Sequence, residues 1–345
     1  MKRLLVCAGT ALLAGCLMGP DYRRPPVDPP ATYQYAAKDA ADTADTRWWK
    51  QFRDPVLDQL IIEGLAHNSN IAIAAANVEQ AAALLTQSRS PLFPQLGYAA
   101  TGERQRSLEP AFAALLRNYP NPSTAYEAAL SASWEIDLWG RIRRQSEAAL
   151  ANLLATDEAR RGVILSLVAS VANSYLQLRG LDAQLQVARK TLSTYGESVR
   201  LFELQFKYGQ VSKMNVVQAQ SQYESAAAQI PLLESQIAQT QSSLAVLIGR
   251  DPGPIVRGKS VYQLQLPLVP AGVPSALLER RPDLLQAEQQ LIAANAQIGA
   301  AKALYFPTIS LTGAYGNASA DLSRLFSGPA RVWSYAGTLT GPIFS

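Results

Sequence analysis

The clearest pattern in the chain is a strict alternation of apolar and polar residues from Leu130 to Leu138. A two-residue period is typical of a β-strand with one apolar and one polar face. The alternation also suits a half-buried strand in a soluble sheet, but the other features below favour a membrane strand. We therefore expect one face to contact lipid, with Leu130, Ala132, Trp134 and Ile136. The other is expected to face a wetted lumen, with Ser131, Ser133, Glu135 and Asp137.

An internal repeat predicts further strands. Residues 71–102 align with residues 284–315 at a constant offset of 213, and each copy has an alanine-rich helix, a Phe-Pro corner and a strand. The corners are Phe93-Pro94 and Phe306-Pro307, and a further strand is predicted at 333–340. The four predicted strands are too few for a closed barrel, since known barrels begin at about eight strands. Unpaired backbone groups are not tolerated in lipid, so a sheet of this kind must assemble with copies of itself.

A long helical hairpin is predicted between the two repeats. Residues 141–207 contain no proline, and their apolar positions recur with a period of about 3.5 residues, which is typical of supercoiled helices. At 1.5 Å per residue such a helix reaches roughly 100 Å. The return helix repeats every seven residues at Val216, Tyr223, Ile230, Ile237 and Leu244. The turn between them contains Gly209, which suits a positive φ, and Ser212, which suits a helix N-cap.

The N-terminus has the pattern of a targeting segment. Lys2 and Arg3 precede a short apolar run, and Leu13-Ala14-Gly15-Cys16 resembles the lipobox of bacterial lipoproteins. That resemblance implies cleavage between Gly15 and Cys16 and acylation, as by palmitate, of Cys16. An ordinary signal peptide with an incidental cysteine is the alternative. The Pro-rich segment that follows is expected to be an extended tether.

Composition excludes several function classes. The formal net charge of +4 falls to about +2 without Lys2 and Arg3, which is too small to indicate a nucleic-acid partner. The chain has one histidine, His67, and no cysteine besides Cys7 and Cys16. We therefore expect no metal site, no cofactor and no catalytic residue, and we do not expect an enzyme.

Several motifs together carry a family resemblance. They are Gly19-Pro20-Asp21-Tyr22, Trp48-Trp49, Asp54-Pro55, Trp134 to Arg141, Arg280-Arg281-Pro282-Asp283-Leu284 and the paired Phe-Pro corners. With them the chain resembles the TolC-like outer membrane factors, specifically the lipoprotein branch that serves multidrug efflux systems with RND-type pumps. The resemblance extends over the whole sequence, apart from variable loops. The second repeat reaches Ser345 without a second helical hairpin, so we interpret the sequence as a C-terminally truncated member.

The resemblance implies an α+β membrane protein. Four transmembrane strands per chain would contribute to a trimeric, twelve-stranded β-barrel in the outer membrane, and long coiled-coil helices would continue it as a periplasmic α-barrel. The implied partners are two sister chains, outer-membrane lipid, a periplasmic adaptor (membrane fusion) protein and an inner-membrane pump. The implied function is a passive export conduit for drugs and other small molecules. The hairpin tip would contact the adaptor through Tyr208, Gly209, Val211, Ser212 and Asn215, although the family often has Asp where Asn215 stands. From the residues alone, the turn could also be a simple connector between the two helices.

The predicted organisation has seven segments. They are the signal peptide (1–15), the lipid anchor and Pro-rich arm (16–46), first-repeat helices (47–90), the first strand pair (91–139), the helical hairpin (140–249), a linker with the second-repeat helix (250–303) and the second strand pair (304–345). The alternative function is a non-channel structural lipoprotein that bridges envelope layers through its coiled coil. That alternative predicts no lipid-facing strands.

Overall fold

The computed structural model describes residues 17–27, 47–106, 122–266 and 277–344. They form six α-helices, four β-strands and several short 3-10 turns. The helices are α1 (Pro55–His67), α2 (Ser69–Arg89), α3 (Arg141–Lys207), α4 (Lys213–Leu247), α5 (Leu277–Arg280) and α6 (Pro282–Ala303). The strands are β1 (Gln95–Gln105), β2 (Ser123–Ile136), β3 (Thr308–Ser319) and β4 (Arg331–Thr340). No helix in the described part of the chain has both the length and the apolarity needed to cross a membrane.

The predicted long elements and the repeat are confirmed. The helix predicted at 141–207 is α3, and the return helix is α4. Helices α2 and α6 begin at Ser69 and Pro282, and strands β1 and β3 begin at Gln95 and Thr308, so both pairs keep the offset of 213 residues. Helix α4 continues through Pro231, which lies inside it.

Contacts divide the chain into two compact units. The sheet unit comprises Met1–Pro26, Glu79–Thr156 and Gln286–Ser345, and it holds the four described strands. The hairpin unit comprises Val27–Val78 and Asp157–Leu285. In the sheet unit, α3 and α6 meet through buried alanines, whose small side chains allow two helices to pack closely: Ala148, Ala151, Ala293 and Ala296.

The core of the hairpin unit lies where α1 packs against α3 and α4. The heptad positions Val171, Tyr175 and Leu178 of α3 are completely buried there, as is Leu244 of α4. Towards the turn, the seam positions Tyr195, Val199 and Phe202 are only half-buried. The α3 seam is therefore fully covered only along part of its length.

The predicted strand Leu130–Leu138 needs a correction at its C-terminal end. Strand β2 ends at Ile136, so Asp137 is not a strand residue. Its carboxylate accepts hydrogen bonds from the backbone N–H groups of Ile142 (3.0 Å) and Arg143 (2.9 Å), in the first turn of α3. The first N–H groups of a helix have no partner within it, and their demand for an acceptor outweighs continuation of the alternation.

A buried hydrogen-bond network joins the start of α1 to α3 in the hairpin unit. Asp54, the N-cap of α1, is 1% exposed and accepts from the N–H of Val56. Tyr175, which is 0% exposed, donates its hydroxyl to Asp54 Oδ2 at 2.8 Å and accepts from the N–H of Gly258 at 3.0 Å. Burial, followed by the hydrogen bond to Asp54, raises the pKa of Tyr175 to about 12.

We expect Tyr175→Phe to lower the free energy of unfolding by about 1–3 kcal/mol, because it removes the hydroxyl that donates to Asp54 and accepts from the N–H of Gly258. The folded pKa of Tyr175 lies above its ordinary value of 10.0, so the folded protein binds this proton more tightly. The associated stability is complete below pH 10 and is lost as the pH rises towards 12. Denaturant unfolding followed by tryptophan fluorescence should show a smaller loss of unfolding free energy between those pH values in the variant. Tyr195→Phe, at a half-buried position of the same helix, is the control, and equal pH profiles for Tyr175→Phe and wild type would contradict the assignment.

Candidate functional site

The four strands form one antiparallel sheet in the order β1-β2-β3-β4. Directly opposed residues of an antiparallel pair point to the same face, so the register decides which side chains share a face. Leu130 is opposite Tyr98 on β1 and Tyr315 on β3, and Tyr315 is opposite Trp333 on β4. The register thus joins the alternating patterns of all four strands into two continuous faces.

One face of the sheet is apolar and rich in aromatic residues. It includes the four β2 positions predicted to contact lipid and their cross-strand neighbours: Leu96, Tyr98, Leu130, Ala132, Trp134, Ile136, Ile309, Leu311, Tyr315, Trp333, Tyr335 and Leu339. Much of it is uncovered, since Tyr98 is 88% exposed, Tyr335 81% and Leu130 63%. Contiguous exposed apolar surface of this kind marks a site of membrane or protein contact.

The other face carries small and polar side chains. Ser131 and Ser133 lie on it beside residues of the neighbouring strands: Gly97, Thr101, Ser310, Thr312, Ala314, Ser334, Ala336 and Thr338. Glu135 also belongs to this face, and both of its oxygens accept hydrogen bonds from Arg141, the shorter at 2.7 Å. Asp137, beyond the strand, is almost buried and pairs with Arg143. Glu135 and Asp137, the two acidic residues predicted to face the lumen, are therefore ion-paired at the β2–α3 junction.

Both edges of the sheet are open within the described residues. There β1 pairs only with β2, and β4 pairs only with β3. Each edge strand therefore presents a row of unpaired backbone N–H and C=O groups over 11 or 10 residues. In the described part of the chain, the apolar face is therefore bordered on both sides by a strand with unpaired backbone groups.

Two tryptophans at the C-terminal end of β2 and just after it bind the Phe-Pro corners. Trp134 donates its indole N–H to Leu92 O at 3.0 Å, and Trp139 donates to Pro307 O at 2.8 Å. Trp139 also stacks on Phe306 with ring centroids 4.6 Å apart. The equivalent Phe93 of the first repeat is largely exposed, so the two corners are equivalent in sequence and differ in packing.

The predicted adaptor-contact residues lie together at the α3–α4 turn of the hairpin unit. Gly209 has a φ of 75°, as predicted, and its N–H closes α3 by bonding Phe206 O. Ser212 occupies the N-cap position of α4, but its hydroxyl donates to Asn215 Oδ1 at 2.7 Å and caps no backbone N–H. Tyr208 is 71% exposed and Met214 is 76% exposed, so this turn also presents large uncovered side chains.

Other predictions for the site fall outside these surfaces. Gly15 and Cys16, the predicted cleavage and lipid-attachment residues, lie outside the described residues. Within the described ranges, no three His, Cys, Asp or Glu side chains are placed to hold a metal ion. The sequence also did not identify Arg144, Glu288 and Asn295, which bind the segment that follows Cys16. These contacts join residues more than 120 positions apart, and no local pattern indicates them.

Comparison with known proteins identifies the fold. A family model described as outer membrane efflux protein matches residues 60–250 and 273–345. The chain is 37% identical over 353 residues to the probable efflux pump outer membrane protein TtgC of Pseudomonas putida, covering 100% of this chain and 72% of that protein. It is 35% identical over 350 residues to the cation efflux system protein CusC of Escherichia coli O6:H1, covering 100% of this chain and 74% of CusC.

Solved channel structures have the same architecture. A crystal structure of CusC matches with a TM-score of 0.81 at 34% identity, covering 96% of this chain and 74% of that one. The open-state MtrE outer membrane channel of Neisseria gonorrhoeae also matches with a TM-score of 0.81, at 33% identity, covering 96% of this chain and 73% of that one. The amphipathic four-stranded sheet, the long hairpin and these matches together show that the chain belongs to the outer membrane efflux protein family.

Proposed function

We propose that the chain is the outer-membrane channel subunit of a tripartite efflux system, which acts as a passive conduit for drugs and other small molecules. The observation that carries the proposal is the sheet with one apolar face, one small polar face and two open edges. A conduit needs a lining and a lipid-facing exterior, and it needs no catalytic group. We accordingly propose no enzymatic role.

The open edges support a homotrimer. Four strands cannot close a barrel alone, and an unpaired edge in lipid costs several kcal/mol for each orphan N–H or C=O group. Pairing β4 of one subunit with β1 of the next would satisfy both edges. Three subunits with four strands each would give a twelve-stranded barrel, the arrangement that the family resemblance implies.

The two faces of the sheet support a proposal for which β2 side chains contact lipid and which line the lumen. We propose that Leu130, Ala132, Trp134 and Ile136 contact lipid and that Ser131, Ser133 and Glu135 line the lumen. We propose that Asp137 also lies on the lumen side, at the β2–α3 junction. Its carboxylate there accepts hydrogen bonds from backbone N–H groups in the first turn of α3. The small lining side chains would leave room for solutes, since selectivity of pores depends on width and lining.

The α3–α4 turn supports contact with a periplasmic adaptor, which would link the channel to an RND-type inner-membrane pump. Exposed Tyr208 and Met214 have the character of interface anchors. The turn is positively charged, because Lys207 and Lys213 flank it and no acidic residue lies between Glu203 and Glu224. The proposed location is the outer membrane with a lipid on Cys16 as a second anchor, supported by the lipobox-like sequence.

Cysteine labelling tests the proposed orientation of β2. We expect single cysteines at Ser131 and Ser133 to react with a water-soluble maleimide in intact outer membranes. Cysteines at Leu130, Ala132 and Trp134 should react at least tenfold more slowly, because lipid excludes the reagent and lowers the thiolate fraction. Labelling after detergent denaturation is the control for reactivity. Uniform fast labelling would exclude a lipid-facing strand and favour the alternative, a structural envelope lipoprotein.

Substitution at the turn tests adaptor contact. We expect Tyr208→Ala to weaken co-purification with the cell's periplasmic adaptor about tenfold, the loss typical of a truncated aromatic anchor. Tyr262→Ala is the matched control, because Tyr262 is 80% exposed in the same unit and lies outside the turn. Equal adaptor binding by both variants, with unchanged amounts in the membrane, would contradict the proposed contact.

A further inference from the structure

Within the predicted lipid anchor and Pro-rich arm at 16–46, the segment Leu17–Pro26, here called the arm, belongs to the sheet unit although it has no regular secondary structure. It contacts α3, which follows the first strand pair, and α6, which precedes the second. The arm therefore connects elements of both repeats. Neither the channel lining nor the turn requires these contacts.

Arg144 in the first turn of α3 is the centre of the contact. Its side chain is 2% exposed. Its guanidinium donates to Met18 O at 3.0 Å, Gly19 O at 3.4 Å and Asp21 Oδ1 at 2.8 Å, all on the arm, and to Glu147 Oε2 at 2.8 Å. A buried charge is tolerated only when it is paired and hydrogen-bonded. Because three of its four acceptors belong to the arm, Arg144 depends on the arm for its stability in that position.

Glycines permit the close approach of the arm. Gly19 has a φ of 90°, and a β-carbon there would collide with the backbone of Gly299 on α6. A β-carbon on Gly299 would in turn collide with Met18 O and the Arg144 side chain. At Gly140, a β-carbon would collide with the side chain of Leu17. The arm therefore lies in a groove formed by α3 and α6, and the glycines give this groove the shape of the arm's backbone.

Hydrogen bonds continue along one side of α6. Asn295 donates its amide to Pro20 O at 2.9 Å, and Glu288 accepts from the Tyr22 hydroxyl at 3.3 Å and from Arg24 at 2.7 Å. The α6 positions 288, 295 and 299 are separated by seven and four residues, so they share one helix face. At the other end of the arm, Met18 donates its N–H to Trp139 O at 3.2 Å, at the junction of β2 and α3.

We propose that this groove is a docking site for the arm and that Arg144 is the positioning residue that fixes the arm's register. A lipid attached to Cys16 would then be delivered beside the β2–α3 junction, at one defined place on the channel exterior. The lipid part of this inference rests on the proposed attachment at Cys16. The docking part rests only on the contacts of residues 17–26.

Trypsin cleavage after Arg23 in outer membranes measures docking, because proteolysis requires local release of the backbone. We expect Arg144→Gln to accelerate this cut at least tenfold and Arg144→Lys to restore part of the protection. Arg160→Gln, on the same helix but paired with Asp157 and away from the arm, should leave the rate unchanged. Cleavage of Arg144→Gln at the wild-type rate, with the rest of the digest unchanged, would overturn the proposal.

Arm-side variants decide the case if Arg144→Gln does not fold. Gly19→Ala places a β-carbon against Gly299, and Asp21→Asn removes the carboxylate that pairs with Arg144. Asp21 is largely exposed, so neither change removes a core side chain. Both should accelerate the same cut, Gly19→Ala more strongly, and wild-type rates in both would overturn the docking site.

A photoreactive palmitate analogue, incorporated by growing cells, measures where the lipid lies. We expect its crosslinks to concentrate on residues around Trp139 in the wild type and to spread in Arg144→Gln and Gly19→Ala. Evenly spread crosslinks in the wild type would overturn the positioning role. Absence of any acyl mass on the N-terminal tryptic fragment would instead exclude attachment at Cys16, and the cleavage rates would still decide docking.

Discussion

The structure depends on one constraint, which is that backbone hydrogen-bonding groups in lipid must be paired. One face of the sheet is apolar and suits lipid, but β1 and β4 each lack one neighbour in the described chain. In water such an edge is solvated, whereas in hydrocarbon it is costly. In a lone subunit the apolar face therefore favours contact with lipid, whereas the open edges favour contact with water. Association through the edges pairs their backbone groups and lets the apolar face remain in lipid.

The rest of the sheet unit holds this sheet in one conformation. Trp134 and Trp139 donate hydrogen bonds to the two Phe-Pro corners. Asp137, directly after β2, accepts hydrogen bonds from the first turn of α3, and the Glu135–Arg141 ion pair lies beside it. The arm adds a contact between α3 and α6, through the buried guanidinium of Arg144, three of whose four acceptors lie on the arm. These polar contacts concentrate where the strands meet the helices, and Trp134 is the residue of the apolar face that takes part in them.

Sequence reasoning succeeded where the pattern was local. The alternation at Leu130–Ile136, the seven-residue spacing from Val216 to Leu244 and the repeat offset each predicted an element that the structure contains. It erred at Asp137, because a residue that fits the strand period is also the best available cap for the next helix. It did not find the Asp54–Tyr175 network or the Arg144 contacts, since these join residues over 100 positions apart and are set by tertiary packing.

The number of chains in the complex tests the account most directly. Mass measurement of the protein extracted from outer membranes in mild detergent, without crosslinking, counts the subunits that share edges. Edge pairing between subunits predicts a complex of three copies that dissociates only when the sheet unfolds. A folded, membrane-inserted single chain with β1 and β4 unpaired would contradict the account.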